Sequence, residues 1–144
     1  MSKKVLILIL LLSLNGCASL QEVNKGEQKA IENSGHIFEK TFEHSYKEVF
    51  LASINVVHDW GANIFIKDYD KGLILARDFG NPNPTSMPGK SCGLYFQKVA
   101  DSKTKVTLKV FDITMGMLVS ASSDDVFGEI EREIQFRQRM KERD

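Results

Sequence analysis

The chain has 144 residues, enough for one domain with a modest core and too few for two. Its 42% hydrophobic and 26% charged content argues against both a disordered chain and a multi-span membrane protein. Nineteen basic side chains balance nineteen acidic ones without the clustered basic excess that phosphate backbones attract, so no nucleic-acid partner is expected.

Residues 1–17 fall into three parts: a basic start at Lys3-Lys4, an apolar run from Val5 to Leu12, and Ser13-Leu14-Asn15-Gly16-Cys17. This is the layout of an export signal, with a small residue at Gly16 that gives a peptidase access to the backbone. Val5 to Leu14 would make about 15 Å of helix. That is well short of the roughly 20 residues a permanent span requires. Leu14, Gly16 and Cys17 resemble the bacterial lipobox, with Asn15 an unusual occupant of its position. The resemblance implies cleavage between Gly16 and Cys17, a diacylglyceryl group on the Cys17 sulfur and acylation of the freed amine. Two or three acyl chains anchor essentially permanently, where one binds reversibly. Ala18 stands where an Asp would resemble an inner-membrane retention signal, so the expectation is an outer-membrane lipoprotein facing the periplasm. Cleavage would leave 17 basic against 19 acidic side chains, a net of −2.

The expected organisation is a signal peptide over 1–16, a lipidated N-terminus and flexible tether over 17–35, and a single domain over 36–144. The tether is polar with scattered apolar residues, and a short helix within Gln21 to Glu32 is the alternative. His36 to Glu43 alternates in part and reads as a strand. Ser45 and Glu48 have the spacing of a capping box, after which Val49, Phe50, Ser53, Ile54, Val56, Val57 and Trp60 recur at helical period until Gly61. Ala62–Lys67 and Leu73–Arg77 flank Asp68-Tyr69-Asp70-Lys71-Gly72 as a hairpin, Gly72 supplying the positive φ of a tight return.

Three prolines and two glycines between Phe79 and Lys90 predict a long loop. Cys92–Val99 and Lys105–Ile113 follow as strands around a turn, with Val106, Leu108 and Val110 alternating with Thr107 and Lys109. Met115–Ala121 is ambiguous. A final helix capped by Ser123 or Asp124 carries the stripe Val126, Phe127, Ile130 and Ile134. The order β-α-β-β-β-β-α gives an α+β fold: an antiparallel sheet of about five strands packed against two helices.

The segments Phe42–Phe50, Gly61–Ile64 and Asp70–Ala76 are similar to small bacterial envelope lipoproteins with helix-grip-like domains, among them the outer-membrane assembly lipoprotein C. The resemblance implies a lipid-anchored, non-catalytic domain that acts by binding.

The residues themselves supply no cofactor motif and no metal spacing. His36, His44 and His58 lack a liganding pattern with Cys92 or with carboxylates. Asp68, Asp70, Asp124 and Asp125 suit turns and caps. Once Cys17 carries lipid, Cys92 has no partner in the chain and is expected to be a buried thiol. The charge-dense stretch from Glu131 to Arg143 reads as a solvated face. Two functions follow. The first is a protein-interaction module in envelope assembly or maintenance, presenting a sheet edge or the 80–89 loop to an envelope protein. The second is a carrier of an apolar ligand or lipid between sheet and helices, lined by Phe38, Phe50, Phe65, Phe96 and Phe111. No enzymatic role is expected.

Overall fold

The computed structural model describes residues 24–33, 36–79, 90–111 and 123–143. The elements are α1 (24–32), β1 (His36–Phe42), α2 (Tyr46–Asp59), β2 (Asn63–Asp68), β3 (Leu73–Phe79), β4 (Lys90–Ala100), β5 (Lys103–Phe111) and α3 (Ser123–Lys141). The five strands form one antiparallel sheet in the order β1-β5-β4-β3-β2, a helix-grip arrangement in the α+β class.

Local chemistry sets the ends of α2. Ser45 is extended (φ −63°, ψ 150°), and its hydroxyl accepts the Glu48 N–H while the Glu48 carboxylate accepts the Ser45 N–H, completing the capping box. At the other end Gly61 has φ +74°. The Gly61 N–H donates to the His58 carbonyl and the Ala62 N–H to the Val57 carbonyl, the paired bonds of a Schellman stop. His58 lies in this last turn, exposed beside Asp59.

The β2–β3 hairpin turns through Asp68–Gly72, where the Asp68 carboxylate accepts the Lys71 N–H at 3.0 Å. Gly72 takes φ +66°, and a Cβ there would collide with the Phe96 carbonyl and the Tyr46 hydroxyl, so glycine is required twice over. The register differs from a simple facing of the two apolar runs. Phe65 forms a bulge between Ile64, opposite Ala76, and Ile66, opposite Leu75.

Alternation divides the sheet into two faces. Phe42, Ile74, Ala76, Cys92, Leu94, Phe96, Val106, Leu108 and Val110 point toward α2 and α3 and form the core with Val49, Phe50, Val56, Val57, Val126, Phe127, Ile130 and Ile134. Phe42 and Phe127 meet edge-on at 6.1 Å, and Phe50 packs on Phe96 at 4.9 Å. α3 begins at Ser123 itself, with Asp124 and Asp125 in the first turn, where carboxylates offset the helix dipole.

The opposite face is not simply wet, and part of the stretch expected as a flexible tether packs against it. Residues 24–32 are helical, the alternative allowed by the sequence, and form a third helix on this second face. Ile31 is fully buried against Leu75, Tyr95 and the bare backbone of Gly93. A Cβ on Gly93 would come within 2.8 Å of the Ile31 Cγ2, so the missing side chain makes the seat. Polar contacts finish the docking. Arg77 pairs with Glu27 at 2.9 Å and donates to Asn24 at 2.8 Å, Ser91 donates to Glu27, and the Lys109 ammonium reaches the Glu32 carbonyl at 3.0 Å.

Hydrogen bonds from Ser45 are the chief cause that holds the Glu48 carboxyl below its ordinary value of 4.5. A depressed carboxylate stabilises the fold above that value, and the benefit is lost as pH falls through the folded value. Ser45→Ala therefore costs about 1 kcal/mol at neutral pH. The gap from the parent protein narrows below pH 4.5, measured by urea denaturation across a pH series.

Candidate binding site

Among the concavities that the described residues form, α2 borders two of similar volume. Antiparallel packing of α3 on α2 leaves a groove of about 670 Å³ between them. Leu51 and the buried Ile134 lie at its base, Phe136 and Met140 stand on its α3 side, and Lys47, Glu48, Arg137 and Lys141 contribute charge around it. Phe136 and Met140 are 51% and 45% exposed, an unusual state for large apolar side chains placed side by side at i and i+4.

Bonds between the elements fix the groove's width. Glu133 accepts from Asn55 at 2.6 Å and from the Arg137 Nε at 2.8 Å. His44 and Glu131 meet at 2.7 Å, tying α3 to the β1–α2 connection, and the His44 carbonyl accepts the hydroxyl of the buried Thr104. Glu131 and Glu133, read from sequence as part of a solvated face, are thus the polar fastening of α3.

The second concavity, a cleft of about 660 Å³, lies where α2 begins and the β2–β3 and β4–β5 turns meet. Tyr46 donates to the Tyr69 carbonyl at 2.7 Å, and its ring meets Tyr69 edge-on at 5.0 Å. Tyr46 and Phe96 thus floor a cleft rimmed by Lys71, Lys98 and Asp101, of which Lys98 and Asp101 pair at 2.7 Å. Ser45 and Lys47 line both groove and cleft.

Gly16, Cys17 and the 80–89 loop lie outside the described residues. Cys92 is buried on the core face opposite Val110, and burial pushes its thiol up to about 12. The three histidines are dispersed: His44 against Glu131, the exposed His58 at 3.7 Å from Asp59, and His36 at the start of β1. Among the described residues no three His, Cys, Asp or Glu side chains gather as a metal site.

The five phenylalanines named as a carrier lining do not share a space. Phe38, Phe50 and Phe96 belong to the core side. Phe65 lies under the Arg77 guanidinium at 4.7 Å, and Phe111, paired in register with Ser91, shares the α1 face. Sequence reading overlooked Leu51, Phe136 and Met140 because charge dominates the α3 tail. The i, i+4 spacing of Phe136 and Met140, off the buried stripe, was the available signal.

No known family model and no curated protein matches the sequence. Among solved structures, the chain is similar to the di-domain ARO/CYC StfQ from the steffimycin biosynthetic pathway, at 12% identity and a TM-score of 0.48 over 69% of this chain. It spans 43% of StfQ, less than half of that chain. It is also similar to Ara h 8.0201, at 14% identity and a TM-score of 0.45, over 69% of this chain and 97% of that one.

A thiol reagent added at pH 8 should leave Cys92 unmodified in the folded chain and modify it fully in urea, because the reactive thiolate is scarce and covered. Mass spectrometry of the Cys92 peptide reads this out, and rapid labelling of folded protein would contradict it.

Proposed function

We propose that this chain is an outer-membrane lipoprotein, anchored through acyl groups on Cys17, whose domain works in the envelope by binding and not by catalysis. The observation that carries the binding reading is the groove between α2 and α3, where Leu51, Phe136 and Met140 offer apolar surface beside Lys47, Arg137 and Lys141. An apolar centre with a charged rim suits a partner that inserts a few apolar side chains, as an amphipathic segment does. The anchor supplies location, and the groove supplies contact.

The groove's volume favours a second reading. At about 670 Å³ it falls in the range of small-molecule sites, so an acyl chain or other amphiphile would fit there. On this reading an apolar ligand would lie on the helical surface, while Phe50 and Phe96 pack against each other inside.

A photo-crosslinking residue at Phe136, in intact cells, should give a discrete adduct that is absent when the same residue replaces the exposed Val99. A protein adduct favours the partner, and an apolar small molecule seen by native mass spectrometry favours the ligand. Phe136→Asp should abolish either while changing stability by less than about 0.5 kcal/mol, as expected at an exposed position. Absence of both adduct and ligand would overturn the binding reading.

Cys17→Ser should leave the chain uncleaved or release it from membranes, followed by fractionation and mass spectrometry of the N-terminus. Unchanged processing with unchanged retention would overturn the anchor.

A further inference from the structure

The way α1 is held bears on how the domain stands on a membrane, and the following rests on the lipid-anchor reading. Asn24 and Glu27, in the first half of α1, both contact Arg77. Arg77 lies opposite Asn63, the first residue of β2, and Ser91, which also bonds Glu27, lies one residue into β4. The start of α1 is therefore fixed to one particular end of the sheet. The turns at Tyr69–Gly72 and Asp101–Ser102 are at the other end, together with Ser45, the cleft and the Lys47–Lys141 mouth of the groove.

Six residues, Ala18 to Val23, lie between Cys17 and Asn24, so seven chain steps join them. Fully extended they reach about 25 Å, and as a flexible chain about 15 Å root-mean-square. Along β4, the nine steps from Ser91 to Ala100 rise about 30 Å. The leash is thus shorter than the sheet is long.

We infer that docking of α1 orients the domain, turning the end that carries Asn63 and Arg77 toward the bilayer and presenting the cleft and groove mouth outward. The Arg77–Glu27–Ser91 cluster is the clasp that makes the leash short. If α1 were released, as many as 18 residues, from Ala18 to Gly35, would lie between lipid and sheet. The root-mean-square reach would then rise to about 23 Å, and the preference would fade.

The test uses full-length lipidated protein in phosphatidylethanolamine–phosphatidylglycerol vesicles carrying an energy acceptor on the lipid headgroup. Cys17 is blocked by its lipid and Cys92 is buried, so a single cysteine introduced as Asn63→Cys or Asp101→Cys takes the donor dye cleanly. Transfer from position 63 should exceed that from position 101 at least twofold. Arg77→Ala, or the milder Glu27→Gln, should shrink the contrast while circular dichroism reports an unchanged fold.

Protein that fails to float with vesicles, or whose Cys17 carries no acyl group, overturns the anchor and the orientation together. Floating protein with equal or reversed transfer overturns the orientation alone. A contrast that survives both clasp variants overturns the role of α1.

Discussion

The pleat of β4 is the constraint on which the rest of this structure depends. Cys92, Leu94 and Phe96 fall on one side of the sheet and Ser91, Gly93 and Tyr95 on the other, and a shift of one residue would exchange the two rows. The first row is apolar and carries α2 through Phe50 and Phe96. The second combines a vacancy at Gly93 with a hydroxyl at Ser91, which together receive Ile31 and Glu27 of α1. One strand thus specifies two different docking surfaces.

Polar groups do different work on the two sides. Where α3 meets α2, Glu133 bonds Asn55, and Glu131 bonds His44 just ahead of α2, at the margin of an apolar contact, where partial exposure keeps the cost of desolvation low. Beneath α1 the Glu27 carboxylate is largely covered and is matched by a guanidinium and a hydroxyl, as a buried charge requires. Removing Arg77 would leave that carboxylate without its counter-charge, while the Lys109 contact to the Glu32 carbonyl would remain.

Local rules made much of the fold legible. The Ser45–Glu48 box, the stop at Gly61, the return at Gly72 and the alternation of Val106, Leu108 and Val110 each depend on residues within a few positions of one another. α1 was less legible because its one buried apolar anchor, Ile31, is meaningful only beside Gly93, which reads in isolation as a weak strand residue. The bulge at Phe65 and the φ of +61° at Asp78 both fall where the register shifts between neighbouring strands. The groove was hidden for a related reason: Leu51 and Met140 become neighbours only when two helices pack, and the charges between Glu131 and Lys141 mask the apolar pair from a reading of composition.

The pairing of β1 with β5 also governs when the domain forms. His36 lies opposite Val110 and Phe42 opposite Thr104, contacts separated by 74 and 62 residues of chain. Closing such long loops is entropically costly and slows folding relative to local pairing. A chain emerging from the ribosome has a capped helix and a hairpin available early, but its first strand waits without a neighbour until β5 has been made. For most of its synthesis the polypeptide is unable to close its sheet, because the partner of its first strand is the last strand to be made.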